Sequence, residues 1–406
     1  MKLIIITKTN PFFENSASAN RWRTLIEGLL HLNVRIELLI TGGYNTKKES
    51  VTLGSFGEWK GLSHRYVSKL IYYTLWWRRM NKYILEPLLA NSNQKKVIKY
   101  ISRNQDAIVW TNSAMEGFKV AYSIKKKYPR VKTFLEMSEF LDVHLYNLGN
   151  KMQMKEGNER QTFFEEKAIF SFSGLALMTR TLYNYYSNLS GNIPKLLHLP
   201  MTVDLDRFSN HSNDTISKTL QRPYIAFVGV MNNQKDGVNI LIDAFAKIVS
   251  QFPKLNLYLF GSYNYDTPGH LEQIKKLNLS EKVFYKGEVN RDKIPSILLN
   301  AALLVLPRPD SKQAQGGFPT KLGEYLASGT PVCATKVGEL QDYLKDNESV
   351  FFAEPGSIDS FANAILQAMN HPTHAYEVGQ NGKKVAETYF NKDIQSKLLF
   401  DFLKQL

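Results

Sequence analysis

The sequence predicts an α/β fold of two successive domains, each a parallel sheet covered by helices. Three observations lead there. Apolar strand-like runs alternate with amphipathic helical runs almost throughout. A length of 406 residues exceeds what one ordinary core supports. Near the middle, at 209–222, the sequence turns polar and loses its periodicity (SNHSNDTISKTLQR), as an interdomain linker does. The expected division is therefore 1–208, linker 209–222, and 223–388, with a C-terminal helix at 389–406 rejoining the first domain.

In the first domain the expected strands are Leu3–Thr7, Arg35–Ile40, Ala107–Thr111, Lys132–Met137, Ala176–Thr179 and Leu196–Leu199. They are continuous apolar runs, which is the pattern of strands buried on both faces. Helices are expected at Ala17–Leu32, Met115–Lys127 and Thr162–Phe172. In the second domain strands are expected at Tyr224–Val228, Leu255–Phe260, Val283–Tyr285, Leu303–Leu306, Pro331–Ala334 and Val350–Ala353. A helix at Val238–Gln251 follows the first of these, and the chain from Ile358 onward is helical. Two such sheets in series imply a cleft between the domains, with the carboxyl ends of the strands turned toward it.

Composition excludes several classes. Apolar content of 43% and charged content of 22% are those of a folded globular chain. A single cysteine, Cys333, rules out an intrachain disulfide framework and a cysteine-based zinc site. The eight histidines show no paired ligand spacing and no clear Asp-x-Asp motif lies at an expected strand end, so no catalytic metal is expected. The apolar run in MKLIIITKTN is too short for a signal-peptide core and reads as a first strand. No eighteen-residue apolar run suggests a membrane span, so the expected location is the cytosol or a membrane surface.

Net charge is +14, concentrated between Lys60 and Arg103, where ten Lys/Arg face one acid, Glu86. Tyr66, Tyr72, Tyr73, Trp76, Trp77, Tyr83 and Tyr100 share that segment, and Val67, Leu70, Ile71 and Leu75 fall at helical spacing. A basic helix carrying aromatics fits an interface with anionic lipid. The alternatives are a core helix with a solvated basic side, or nucleic acid, which lacks any accompanying motif and is not expected as a partner.

The most informative stretch is Arg308–Pro331, RPDSKQAQGGFPTKLGEYLASGTP. It reads as an eleven-residue loop, Arg308–Phe318, after a buried strand, and then a short helix opened by Pro319 and stopped at Gly329. The positive end of that helix would lie at the ligand-binding edge of the sheet, with Lys321 one turn in and Glu324 three residues further.

Four segments carry a resemblance to retaining glycosyltransferases of family 4: LPMTVDLDRF (Leu199–Phe208), FVGVMNNQKDGVNILIDAF (Phe227–Phe245), VFYKGEV (Val283–Val289) and GGFPTKLGEYLASGTPVCATKVGEL (Gly316–Leu340). The resemblance implies the GT-B fold, two Rossmann-like domains facing across a cleft, with an N-terminal acceptor domain and a C-terminal domain for a nucleotide-sugar donor. It implies Lys235 as the cation on the donor diphosphate, where charge develops as the glycosidic bond breaks. It implies Glu324 as the carboxylate on the ribose hydroxyls; the alternative is a surface pair with Lys321 at i,i+3. Gly229, Lys286, Arg308, Gly317, Phe318, Pro319, Thr320 and Lys321 complete the expected donor-binding set.

The chain also departs from the family. The first of the two family glutamates falls on Gly316, the arginine after the first glycine falls on Val230, and the Gly-rich loop after strand one is NPFFENSAS (Asn10–Ser18). The histidine after the fourth strand is replaced by TNSA (Thr111–Ala114). Lys321 or Arg308 would restore the missing positive charge. In the first domain, Glu136, Glu139 and Asp142 follow an expected strand, and Glu139 is the candidate to act on an acceptor hydroxyl; a solvated acidic loop is the alternative. Asn10, Ser16 and Arg21 are further candidates for donor or acceptor contact.

The expected function is transfer of a sugar, with retention, from a UDP- or GDP-linked donor to a glycan acceptor, in a lipid-linked form at the inner face of the plasma membrane. No cofactor beyond the nucleotide sugar is expected. Two rival readings stand: a degenerate GT-B scaffold that only docks in a polysaccharide assembly complex, and a GT-B nucleotide-sugar epimerase.

Overall fold

The structure is a computed structural model describing residues 1–14, 16–142, 151–209 and 219–406. It forms two compact units, Met1–Pro200 with Gln395–Leu406, and Met201–Ile394. Most of the linker expected at 209–222 lies outside the described residues.

The boundary at Pro200 corrects the expected one at Phe208. Residues 201–208 belong with the C-terminal unit because their polar groups are satisfied there. Val203 bridges to Asn391, and the ammonium of Lys392 donates to Asp204 at 2.6 Å and to Asp206 at 3.0 Å. Burial opposes the charge on Lys392, but these two carboxylates outweigh it and hold its pKa above the usual lysine value.

The N-terminal unit is built on an eight-stranded sheet. In chain order the strands of this unit are β1 (Lys2–Thr7), β2 (Arg35–Ile40), β3 (Gly43–Tyr44), β4 (Phe56–Trp59), β5 (Leu62–Tyr66), β6 (Leu70–Ile71), β7 (Ile108–Thr111), β8 (Thr133–Met137), β9 (Gly174–Leu177) and β10 (Lys195–His198). The sheet runs β10-β9-β8-β7-β1-β2-β5-β4, and β3 pairs with β6 in a separate ribbon. Among the described residues of this sheet only the β4–β5 pair is antiparallel. The run Leu3–Thr7 is buried along its whole length, as a central strand with helices on both faces must be. The helix Ala17–His31 starts at Ser16, whose hydroxyl accepts from the Ala19 amide at 3.2 Å. The returning residues Leu399, Phe402 and Leu403 join Leu25, Leu38 and Trp110 in one core.

Two features of this unit differ from expectation. The β4–β5 hairpin and the β3–β6 ribbon were not anticipated, because each strand is short and polar residues interrupt it. Val67–Leu75 is not helical: Leu70–Ile71 is a strand, and the helix begins only at Leu75. Spacing over nine residues cannot separate these outcomes, and pairing with Gly43–Tyr44 decided it.

The C-terminal unit carries a six-stranded, fully parallel sheet of β11 (Tyr224–Val228), β12 (Asn256–Phe260), β13 (Val283–Gly287), β14 (Leu303–Leu306), β15 (Val332–Thr335) and β16 (Phe351–Ala353). Their order is β13-β12-β11-β14-β15-β16, so the strand order reverses between β11 and β14. Ligands of such sheets bind beyond the strand ends at that reversal. The helices Val238–Ile248 and Ile358–Asn370 cover one face, burying Ile242, Phe245, Phe361 and Ile365 against Leu257, Leu259 and Val305.

Candidate functional site

The loops leaving β11 and β14 and the helix Thr320–Ala327 meet at the reversal point. Tyr325 pins the helix there: its hydroxyl accepts from the Val228 amide at 2.8 Å and donates to the Val228 carbonyl at 3.2 Å. The last residue of β11 and the second turn of the helix are thereby locked together.

Lys321 is placed by this lock. Its ammonium donates to Asp236 Oδ1 at 2.6 Å and lies 4.7 Å from the centre of the Phe227 ring. A Cβ on Gly229 would fall 2.1 Å from the Lys321 Nζ, so only glycine leaves room for it. Burial is the main force lowering the Lys321 pKa; Asp236 holds it up, and the nearby charges of Lys235 and Arg308 push it down. Three cations thus share a patch with one carboxylate, whose Oδ2 is buried without a hydrogen-bond partner. Such a patch attracts a polyanion.

Lys235 lies on a short helical turn, Asn233–Asp236, shaped by its own side chains. Asn232 Oδ1 accepts from the Lys235 amide at 2.8 Å, and Asp266 Oδ2 accepts from the Asn233 amide at 3.0 Å. Asn233 Oδ1 accepts from the Asn239 amide at 3.2 Å and lies 2.6 Å from buried His270 Nε2. Burial lowers the pKa of His270, so its neutral form is favoured. Gly237 closes the turn in the left-handed region (φ 64°), where a Cβ would also strike the Pro307 carbonyl at 2.0 Å.

Glu324 is bonded to the guanidinium of Arg207, which also donates to the Arg291 carbonyl at 2.7 Å. The i,i+3 pair with Lys321 does not form, because Lys321 is committed to Asp236. Glu324 and Arg207 both remain partly accessible.

Several expectations need correction. The loop at Arg308–Phe318 holds a short helix, Lys312–Gly316, capped by the Ser311 hydroxyl on the Ala314 amide. Phe318 is a core residue, packed on Phe390 and Tyr343, so only its backbone can meet a ligand. Gly317 and Pro319 flank it, and Thr320 opens the helix. Arg308 is buried and donates to the Gln313 carbonyl at 3.0 Å, so it acts on the patch through its charge. Lys286 lies over the rings of Tyr258 and Phe284, which stack between β12 and the edge strand β13.

The N-terminal candidates are largely structural. Arg21 and Glu136 are both buried and paired at 2.5 Å; Arg21 also donates to the carbonyls of Leu199 and Pro200, and Trp22 Nε1 donates to Glu136 at 3.2 Å. Neither charge is left for a substrate. Asn10 is buried with its side chain capping Phe12, and Ser16 caps its helix. Glu139 and the buried Asp142 lie in the field of Arg160, opposing the fall in its pKa that burial causes. Glu139 is partly exposed, as is Ser16.

Sequence reasoning missed Asp236, Arg207 and Tyr325. Each lies inside a quoted segment, but their roles depend on partners distant in sequence. Among the described residues no group of three His, Cys, Asp or Glu is placed to hold a metal ion. No described helix is long and apolar enough to cross a membrane.

Residues 211–385, which contain Lys235, Lys321 and Glu324, match the family model for glycosyl transferases group 1. An uncharacterized glycosyltransferase of Methanocaldococcus jannaschii, MJ1178, is 28% identical over 170 residues, covering 40% of this chain and 43% of that protein. The mannosylfructose-phosphate synthase of Agrobacterium fabrum is 26% identical over 209 residues, covering 48% of this chain and 45% of that protein. The match therefore takes in less than half the length of either relative. Among solved structures, the sucrose-phosphate synthase of Thermosynechococcus elongatus superposes over 100% of this chain and 99% of its own, with a TM-score of 0.75 at 15% identity. HepE of Anabaena in complex with UDP superposes over 100% of both chains, with a TM-score of 0.70 at 15% identity. The chain shares the GT-B fold of these structures, with two Rossmann-like units.

Proposed function

We propose that the protein is a glycosyltransferase that takes a sugar from a nucleoside diphosphate donor and places it, with retention, on a lipid-linked glycan at the inner face of a membrane. The observation that supports this best is the buried ammonium of Lys321, held at the strand-order reversal with Lys235 and Arg308 nearby. That arrangement suits a diphosphate, whose charge grows as it leaves.

In the proposed step, the bond from the anomeric carbon to the β-phosphate oxygen breaks and its electron pair goes to the diphosphate. The acceptor oxygen bonds to that carbon from the same face, and its proton passes to the departing phosphate oxygen. Lys321, Lys235 and the N-terminal amides of the helix Thr320–Ala327 would stabilise the leaving charge. Glu324 would hold the ribose hydroxyls by exchanging one of them for Arg207. Glu139 is the candidate to orient the acceptor hydroxyl.

Thermal unfolding with UDP, GDP and ADP tests the donor site. One nucleotide at a hundred times its dissociation constant should stabilise the protein by about 2.7 kcal/mol. No stabilisation by any of the three would sink the donor reading. Anomeric proton coupling in the product of the matching nucleotide sugar tests retention, and an inverted linkage would remove that part.

A further inference from the structure

We propose that the outer face of the helical run Leu75–Leu88, in the N-terminal unit, is a docking surface for an anionic lipid bilayer. The proposal extends the reading of a membrane-borne acceptor, but it is carried by a different part of the chain.

Four large apolar side chains in this run are exposed: Trp76 by 66%, Trp77 by 40%, Ile84 by 55% and Leu88 by 72%. Single exposed apolar residues are ordinary on a protein surface, but a contiguous group marks an interaction site. Trp77, Met80, Ile84 and Leu88 recur at intervals of three, four and four residues, so they share one stripe of the helix. Trp76 packs edge-on against Trp77 with ring centres 4.9 Å apart, which widens the stripe at one end.

The helical run is anchored to the unit along its length. Buried Asn81 donates to the Ile71 carbonyl at 2.6 Å, and Asn93 donates to the Thr41 carbonyl and the Ser68 hydroxyl. Val97, Ile98 and Ile101, further along the same helical run, are in the core. The apolar stripe is therefore held outward rather than left over from a loose element.

Charge selects the partner. Arg78 and Arg79 flank the tryptophans and are exposed, as is Lys69, and no described carboxylate lies within ion-pair distance of the three. Glu86 is the only acid between Lys60 and Arg103, and it is engaged by the Lys8 ammonium at 2.7 Å and the Tyr72 hydroxyl at 2.8 Å. Tryptophans beside unpaired arginines suit the headgroup layer, where the rings enter the interface and the cations meet phosphate. Nucleic acid would use the charge but not Ile84 and Leu88.

The test is flotation of the full chain with vesicles of pure phosphatidylcholine and with vesicles containing about one third phosphatidylglycerol. Binding is expected only to the anionic vesicles. Arg78→Gln with Arg79→Gln should weaken it about twenty-five-fold at low salt, since each basic residue contributes a factor of roughly five. Trp76→Ser with Trp77→Ser should weaken it by at least about tenfold at any salt, with unchanged melting because these side chains are exposed. Equal flotation of wild type and both variants would overturn the proposal. So would a dimer in sedimentation that both tryptophan substitutions dissolve, since the stripe would then serve a second copy. No sugar nucleotide is present, so failure here leaves the donor reading intact, and failure of that reading leaves this one.

Discussion

Lys321 reaches across the end of β11 to Asp236, and the absence of a side chain on Gly229 leaves the space its ammonium occupies. The pair is the electrostatic centre of the C-terminal unit, because a buried carboxylate here compensates a cation that Lys235 and Arg308 would otherwise repel.

Lys321→Met should weaken binding of the stabilising nucleotide by at least about tenfold, or roughly 1.4 kcal/mol. Lys321→Glu should abolish it, because a second carboxylate would face Asp236. Titration calorimetry measures both, and unchanged affinity in Lys321→Met would remove this lysine from the site. Gly229→Ala should act in the same direction by driving Lys321 off Asp236.

Glu324→Gln should lower melting only modestly, since the amide oxygen can still accept from the Arg207 guanidinium. It should lower kcat/KM by about a hundredfold, or roughly 2.7 kcal/mol. Arg207→Met should raise KM more than it lowers kcat if the guanidinium only positions Glu324. Steady-state kinetics on both variants separate a ligand-binding carboxylate from a structural one; full activity in Glu324→Gln would dismiss the assignment.

Arg21→Met should destabilise the N-terminal unit by about 3–5 kcal/mol, because Glu136 would be left charged and buried. Adding Glu136→Gln should recover part of the loss by removing that charge. Urea midpoints for the single and double variants give the coupling. A neutral Arg21→Met would mean that water reaches Glu136 freely.

Glu49 gives a pH dependence of known sign. Burial raises its pKa above the usual carboxylate value, although the Tyr66 hydroxyl and the amides of Asn45 and Thr46 oppose the shift. The folded state therefore binds more protons than the unfolded chain between the two pKa values. Its contribution is fully present below the unfolded pKa, near 4.5, and is lost as pH rises through the folded value. Glu49→Gln should flatten the stability profile across that window, as measured by urea unfolding at each pH.

Much of this molecule was legible before its coordinates. Runs such as Leu3–Ile6 and Leu303–Leu306 have no alternation and admit only doubly covered strands in a parallel sheet. The segment around Lys235, Lys321 and Glu324 was recognisable because local turns, a proline-opened helix and a closing glycine leave local signatures. What failed was of another kind. Arg21 and Glu136 look like site residues in sequence, and only the approach of residues more than a hundred positions apart shows them paired and buried. Phe318 reads as a ligand contact until Phe390 and Tyr343 are seen against it. Asp236 and Arg207 drew no notice because a charged residue gains its meaning from its partner. Periodicity and turn chemistry act over a few residues, so the sequence alone set the long elements, their order and the family likeness, but not the short pairs β3–β6 and β4–β5. Which charges neutralise each other and which stay available depends on distances between remote segments, and those only the folded chain decides.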